Sequence, residues 1–218
     1  MNKFKFGIFD LDGSIVNAMP TYTKVFSESL NSKFGINIEK SKKYYQGSAG
    51  TPIDIQFKYM LEKYDQPTVK VPQIVDEFFD VVNNIDFALF DGARNTISGF
   101  FEKGFKLFLT TGNQTINSKN RLEKTELIKY FSLVLGSDEI LKGPEHIKRF
   151  AQLVDLSVEE FSSRSFYCGD GPRDMEIARI FGIYAIGIAT TASEERLFAS
   201  GADVVVNEIA DVVGLKIF

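Results

Sequence analysis

The sequence is poor in residues that build several common kinds of site: its 218 residues include one histidine, one cysteine and no tryptophan. The single cysteine, Cys168, excludes an internal disulfide, and with the single histidine, His146, it is too few for a structural zinc site of Cys and His ligands. No G-x-S-x-G motif accompanies His146 to suggest a serine triad. Any chemistry must therefore rest on carboxylates, hydroxyls, lysines or a hard metal ion.

The chain also lacks a strong excess of one charge and a long hydrophobic run. Its 25 Lys and Arg against 29 Asp and Glu give a net charge of −4, so electrostatics gives no reason to expect nucleic acid as a partner. No window approaches 18 apolar residues, and the first apolar run stops at Asp10, so we expect no membrane span and no signal peptide. We predict a cytoplasmic protein, and the sequence carries no signal for its oligomeric state.

Six short apolar runs recur along the chain, and each ends in polar or turn-forming residues. Runs this short, apolar on both faces, are typical of buried parallel strands, and amphipathic helical patterns lie between the later ones. This alternation predicts an α/β fold, a doubly wound, Rossmann-like parallel sheet in which ligands bind beyond the carboxyl ends of the strands. The predicted strands lie in residues 4–9, 105–109, 133–135, 165–168, 183–188 and 204–206, and the helices in 114–129, 145–153, 173–181 and 194–199.

Residues 20–84 break this rhythm, because they contain amphipathic helical patterns and no convincing strand. A crossover between parallel strands needs only about a dozen residues. The excess predicts an all-helical cap domain inserted between the first two strands. We place the cap at residues 18–89 and the α/β core at residues 1–17 and 90–218. The helices predicted for the cap are residues 22–34, 52–64 and 72–83.

Four separated polar features follow the predicted strands, so the fold would gather them at one edge of the sheet. Four acidic side chains in one crevice repel one another unless a cation neutralises them. Oxygen ligands of this kind suit Mg²⁺, which often shares the oxygens of a substrate phosphate. The features are Asp10 and Asp12, then Thr111 and Gly112, then Lys142, and finally Asp170 and Asp174.

In order and spacing these features resemble the four motifs of the haloacid dehalogenase (HAD) superfamily, particularly members with a helical C1-type cap such as phosphoglycolate phosphatases. The first motif, D-x-D-x-[TV], is matched at residues 10–14, with Ser14 in the last position. Thr111 matches the second motif, and residues 169–174 match the fourth, G-D-x-x-x-D. Lys142 matches the third, commonly K-P-x-P, with a spacing to proline one residue tighter; Lys148 is a second choice.

The resemblance implies a role for each matched residue. Asp10 would attack phosphorus to form an aspartyl-phosphate, and Asp12 would act as general acid and then general base. The resemblance also implies which residues bind the phosphate and which bind the metal. Thr111, Gly112 and Lys142 would bind the phosphoryl oxygens. Mg²⁺ would be bound by Asp10, Asp170 and the backbone carbonyl of Asp12, with Asp174 supporting the metal's waters.

The activity implied is hydrolysis of a small phosphorylated metabolite, phosphoglycolate-like, sugar-phosphate-like or nucleotide-like. A dehalogenase should lack the second acid, which Asp12 supplies here. Two alternatives stay open. One is a phosphotransferase or mutase of the β-phosphoglucomutase type, although Tyr22 stands where such mutases carry a histidine. The other is a phosphate-binding regulatory protein with negligible turnover.

Within the cap, the segment from residue 46 to residue 51 is predicted to be a loop that contacts the substrate. Gln46 and Ser48 are its candidate specificity residues, and Lys43 is a candidate anchor for an anion. Outside the motifs, we expect Cys168 to be a buried thiol of the core. His146 is expected to lie on the surface or to face the cap.

Overall fold

A parallel sheet of six strands, in the order β3-β2-β1-β4-β5-β6, forms the core of the protein in a computed structural model that describes residues 3–48, 51–138 and 140–218. The order confirms the doubly wound fold, because the chain builds outward from β1 in both directions. All residues of β1 and β4 are buried, as expected for central strands. The strands are β1 (Phe6–Phe9), β2 (Lys106–Thr110), β3 (Phe131–Leu135), β4 (Ser165–Gly169), β5 (Tyr184–Ile188) and β6 (Val204–Val206).

Helices cover both faces of the sheet and separate its strands in sequence. The predicted helix over residues 114–129 is shorter than expected, since an α-helix ends at Lys124 and a 3₁₀ turn covers Ile128–Tyr130. Two helices of the core, Ala93–Glu102 and Val158–Ser163, were not predicted. The core helices are α5 (Ala93–Glu102), α6 (Thr115–Lys124), α7 (Pro144–Leu153), α8 (Val158–Ser163), α9 (Pro172–Phe181) and α10 (Glu194–Ser200), and a 3₁₀ helix covers Ile209–Gly214.

The segment between β1 and β2 begins with four α-helices, which confirms a helical cap. The first of them, α1 (Met19–Phe34), is capped at its C-terminus by Gly35, whose φ of 66° lies in the left-handed region that glycine adopts readily. Three aromatic rings pack at the centre of the cap, with Phe57 lying 4.5 Å from Phe26 and 6.0 Å from Phe78 between ring centroids. The cap helices are α1 (Met19–Phe34), α2 (Ile38–Gly47), α3 (Ile53–Lys63) and α4 (Val71–Asn83), with a 3₁₀ turn at Thr68–Lys70.

Helix α2 was not predicted, and it corrects the expected loop, because residues 46 and 47 form its last turn. Only Ser41 and Tyr45 of this helix are buried, so its sequence carries little apolar periodicity. Its start is fixed instead by the Asn37 side chain, which accepts a hydrogen bond of 3.0 Å from the Lys40 N–H. Residues 49 and 50 of the predicted loop lie outside the described residues.

The chain leaves the core for the cap and returns from it along two adjacent segments. The Asn17 N–H donates to the Ala88 carbonyl at 3.0 Å, and the Phe90 N–H donates to the Ile15 carbonyl at 3.0 Å. These hydrogen bonds join the segment that enters the cap to the segment that leaves it, close to the predicted domain boundaries at residues 17/18 and 89/90. The boundaries themselves stay a prediction. In the part of the chain that the structure describes, no helix is both long and apolar enough to cross a membrane.

Candidate active site

The carboxyl ends of four neighbouring strands bring the four motifs into one cleft beneath the cap. Asp10 follows β1, Thr111 follows β2, and Asp170 follows β4, while Lys142 lies in the connection from β3 to α7. Every residue predicted for catalysis, for phosphate or for metal lines this cleft. They are Asp10, Asp12, Thr111, Gly112, Lys142, Asp170 and Asp174.

The turn after β1 requires glycine at position 13. Gly13 has a φ of 98°, and a Cβ on this residue would collide with the carboxylate of Asp170. Ser14, in place of the family's Thr or Val, donates its hydroxyl to Asp170 Oδ1 at 3.0 Å. The turn therefore draws the first and fourth motifs together, and the Ser14 hydroxyl has a specific partner.

Lys142 lies among the buried carboxylates despite the tighter spacing of its motif. Its Nζ is 2.6 Å from Asp10 Oδ1 and 2.6 Å from Asp174 Oδ1, and its side chain is 3% exposed. Asp174 is held further by the Tyr167 hydroxyl at 2.9 Å and by the Gly171 N–H at 3.1 Å. Lys148, the second choice, pairs with Glu145 on the surface instead.

The electrostatics of this cluster favour binding of a cation. Burial, with repulsion from Asp174 and Asp170, raises the pKa of Asp10 well above its ordinary value despite Lys142. Burial and Asp174 raise the pKa of Asp170 to about 6. Burial opposes the charge of Lys142, but Asp10 and Asp174 outweigh it and raise the pKa of the ammonium. Full ionisation would leave three carboxylates against one ammonium, an excess of two negative charges.

The donor atoms of the cluster fit a hard divalent ion. Carboxylate oxygens of Asp10, Asp170 and Asp174 lie within 4.8 Å of one another, and all three residues are buried. Oxygen donors at this spacing are the ligands that Mg²⁺ takes in proteins, and its charge equals the excess negative charge. The three aspartates could therefore hold a metal ion.

A second network surrounds Asp12 and includes residues that the sequence did not single out. Arg121 Nη1 is 2.7 Å from Asp12 Oδ1 and also donates to the Tyr22 hydroxyl. Asn113 Nδ2 lies 3.3 Å from Asp12 Oδ2 and 3.0 Å from the Tyr22 hydroxyl. The guanidinium of Arg121 packs over Phe87, with Cζ 4.7 Å from the ring centroid.

Two of these residues stand at positions that the motifs mark in the sequence, but the sequence indicated no role for them. Asn113 ends the turn that contains Thr111, and Tyr22 marks the position where mutases carry a histidine. Arg121 lies on the buried side of α6, and no motif distinguishes it from the other basic residues of that helix. Arg121 lies beside Asp12 because α6 packs against the segment that returns from the cap to the core, where the Arg121 guanidinium lies over Phe87.

His146 is buried, so the expectation of a surface or cap-facing residue is wrong. Its Nε2 lies 2.9 Å from the Ile140 carbonyl, which can only accept, so Nε2 carries the proton. Nδ1 then accepts from the Thr110 hydroxyl at 2.7 Å. Burial lowers the pKa of His146. The residue lies on the first turn of α7, on the apolar side that faces the sheet, which is why an amphipathic pattern alone misplaced it.

On the cap side, neither of the predicted specificity residues, Gln46 and Ser48, lines the cleft among the described residues. Gln46 is exposed. The Ser48 hydroxyl donates to Oε1 of Gln56 at 2.8 Å, and Gln56 is buried and lines the cleft. Lys43 is exposed. Cys168 is buried on β4, as predicted, and burial raises the pKa of its thiol.

Comparison with known proteins identifies the family. The model of the haloacid dehalogenase-like hydrolases matches residues 7–188. A probable phosphatase, IndB, of Dickeya dadantii is 24% identical over 95% of this chain and 91% of its own. A phosphoglycolate phosphatase of Pectobacterium atrosepticum is 23% identical over 95% and 90%.

Solved structures agree with this result. A predicted phosphatase from Clostridium acetobutylicum superposes with a TM-score of 0.80 at 26% identity, covering 97% of this chain and 99% of that one. A haloacid dehalogenase-like hydrolase from Streptococcus pneumoniae gives a TM-score of 0.81 at 19% identity, covering 98% and 99%. Since the family model spans most of the sequence, the chain belongs to the haloacid dehalogenase-like hydrolase family.

Proposed function

We propose that this protein is a Mg²⁺-dependent phosphatase that hydrolyses a small phosphate monoester through an aspartyl-phosphate on Asp10. The proposal rests on the buried cluster at the carboxyl ends of the strands, in which Asp10 lies beside Lys142, Asp170 and Asp174. Relatives named as phosphatases support the reaction class.

The first chemical step joins Asp10 to the substrate. A carboxylate oxygen of Asp10 attacks phosphorus, the bond from phosphorus to the ester oxygen breaks, and the leaving oxygen takes a proton from Asp12. The second step reverses the role of Asp12, which takes a proton from water as that water attacks the phosphorus and releases Asp10. Asp12 lies two residues after the proposed nucleophile, and the hydrogen bonds that Arg121 and Asn113 donate to its two oxygens support an oriented carboxyl group in this role.

The phosphoryl oxygens would be bound by the second and third motifs. Thr111 Oγ1 accepts the Asn113 N–H at 3.1 Å, which leaves the hydroxyl proton of Thr111 to donate to the phosphate. The Gly112 N–H and the ammonium of Lys142 are the other proposed donors. Such donors stabilise the charge that spreads over the phosphoryl oxygens during transfer.

Asp10, Asp170 and the backbone carbonyl of Asp12 are the proposed ligands of the metal, with Asp174 beside them. When bound, Mg²⁺ would offset the repulsion between these carboxylates and the anionic ester and stabilise charge on the phosphoryl oxygens. Asp174 is oriented for this support by Tyr167 and by the Gly171 N–H.

Phosphate release from p-nitrophenyl phosphate tests the proposal. We expect turnover with Mg²⁺, loss of turnover with a chelator, and a decrease on the order of 10⁶-fold in Asp10→Asn, as for removal of the nucleophile in other enzymes. Turnover that survives either change would refute the mechanism.

The same assay separates the two alternatives. A mutase would deliver the phosphoryl group to a second hydroxyl of an added sugar phosphate instead of to water. A binding protein would show saturable binding of phosphate with no turnover of any ester.

A further inference from the structure

The two walls of the cleft differ in chemistry. The core wall carries the charged groups, the aspartates and Lys142. The wall contributed by the cap carries no charged side chain among the described residues. It consists of Met19, Tyr22, Tyr45, Thr51, Ile53, Gln56, Phe78 and Phe79.

Lys142 and Arg121, the cations that contact the aspartates of the cleft among the described residues, already have partners. Lys142 is bound to Asp10 and Asp174, and Arg121 is bound to Asp12. The lysines of α1 and α2 do not replace them. Lys42 pairs with Glu39, and Lys24 and Lys43 are exposed and absent from the described lining of the cleft.

A leaving group with its own negative charge would therefore meet an unfavourable environment under the cap. It would lose hydration against apolar side chains such as Ile53 and Phe78 without gaining a cation. Asp12, on the core wall of the same cleft, would add repulsion. A second anionic group on the substrate is thus selected against in binding and in the transition state.

Three buried residues of the cap wall carry polar groups: Tyr22, whose hydroxyl is already bonded to Arg121 and Asn113, Tyr45, and Gln56, which is 3% exposed. Gln56 Nε2 donates to the Thr51 carbonyl at 2.7 Å, and Gln56 Oε1 accepts the Ser48 hydroxyl at 2.8 Å. Each of these two atoms has one further hydrogen-bonding position, a second N–H on Nε2 and a second lone pair on Oε1. A hydroxyl group can both donate and accept, so it matches what Gln56 still offers.

We infer that the substrate is a small phosphate monoester whose leaving group is uncharged, with an apolar body and a hydroxyl that binds Gln56. The inference rests on the proposed phosphatase activity and narrows it. It departs from what the names of several relatives would suggest, because phosphoglycolate carries a carboxylate in its leaving group.

A matched pair of esters tests the inference directly. 2-Hydroxyethyl phosphate and 2-phosphoglycolate share a two-carbon skeleton and differ by a hydroxymethyl group against a carboxylate. With Mg²⁺ and wild-type protein, we expect kcat/KM to be about 100-fold higher for the hydroxyethyl ester, because an unpaired buried charge is strongly rejected. Phenyl phosphate against 4-carboxyphenyl phosphate repeats the comparison with a larger apolar body.

A variant tests the cause. Phe79 is partly buried on the cap wall, so Phe79→Arg would add the missing cation, and Phe79→Met is the matched neutral control. We expect Phe79→Arg to shift the ratio of the two kcat/KM values toward phosphoglycolate by at least about tenfold, and Phe79→Met to leave the ratio near that of the wild type.

These experiments distinguish a failure of the uncharged leaving group from a failure of the proposed phosphatase activity. Hydrolysis of both esters with equal kcat/KM, or a preference for phosphoglycolate, overturns the uncharged leaving group while the phosphatase stands. An unchanged ratio in folded Phe79→Arg overturns the cap wall as its cause. No Mg²⁺-dependent hydrolysis of any ester overturns the proposed function and this inference with it.

Discussion

The cleft contains two buried ion networks that differ in charge balance and in origin. The first joins Lys142 to Asp10 and Asp174 and is built from the core alone. The second joins Arg121 to Asp12 and includes Tyr22 of the cap helix α1. Asp170 lies against the first network, so that network has three carboxylates for one cation, whereas the second has one carboxylate for one cation.

This difference in charge balance indicates that the two networks have different roles. The first network carries excess negative charge when it is fully ionised, and burial together with repulsion among its carboxylates raises the pKa of Asp10 and Asp170, which favours binding of a cation. The second is balanced by its own residues, so it has no need of a metal. Because Tyr22 belongs to the cap, the second network also connects the position of the cap to the orientation of Asp12. We propose that the first network performs the chemistry and the second positions the acid.

Removing the cation of the first network gives the largest expected effect. In Lys142→Met the phosphoryl group loses a charged donor, so we expect kcat/KM to fall about 10³-fold. The buried carboxylates also lose their partner, which costs about 3–5 kcal/mol of unfolding free energy. Phosphate release and urea unfolding measure the two effects. Lys148→Met, on the surface, is the control, and equal losses in both variants would contradict the assignment of Lys142.

Magnesium should stabilise the first network and leave the second unaffected. Excess Mg²⁺, at about 100 times its dissociation constant, should raise the free energy of unfolding by about 2.7 kcal/mol. The same increment is expected in Arg121→Met, whereas Asp170→Asn should lose most of it because one ligand is gone. Thermal unfolding with and without Mg²⁺ provides the measurement. An equal response in wild type and Asp170→Asn would exclude this aspartate as a ligand.

The sequence predicted that the residues of the first network lie in one cleft, but not the ion pairs of Lys142 with Asp10 and Asp174. These residues follow buried strands, and the carboxyl ends of parallel strands must meet at one edge of a sheet. Even the tighter spacing at Lys142 was accommodated, because the lysine lies in a connection that can adjust. The local sequence pattern and the overall fold agree here, so the order of strands and motifs along the chain was enough to predict that these residues meet.

The second network depends on packing between segments far apart in sequence. Arg121 reaches Asp12 across 109 positions and Tyr22 across 99, and nothing in the amphipathic pattern of α6 indicates that its buried side meets a carboxylate. Helix α2 was missed for a related reason, since its stability comes from a capping side chain and two buried residues. Such features follow from tertiary contacts that no local period encodes.

Loss of the second network should reduce activity less than loss of Lys142. Arg121→Met removes the ion pair and the bond to Tyr22, so Asp12 is oriented less well and we expect kcat to fall about tenfold. KM should change little, because Arg121 does not line the cleft. Arg121→Lys keeps the charge but not the fork geometry and should recover part of kcat. A rise in KM with unchanged kcat would argue for a substrate contact instead of a positioning role.

The smallest expected effect concerns His146, which supports the first network from behind by joining the end of β2 to the loop that carries Lys142. Because burial lowers its pKa below 6.5, the folded protein favours the neutral ring. Above pH 6.5 the stabilisation is complete; as pH falls below 6.5, the unfolded chain binds a proton that the folded chain resists, and stability is lost.

His146→Gln removes this titration along with the two hydrogen bonds. Its deficit in unfolding free energy should be about 1 kcal/mol at pH 7.5 and should shrink by pH 5.5, as measured by urea unfolding without Mg²⁺. Thr110→Val, which removes one bond and keeps the ring, should retain the pH dependence of the wild type. A deficit of His146→Gln that stays constant or grows toward low pH would contradict a buried, neutral His146.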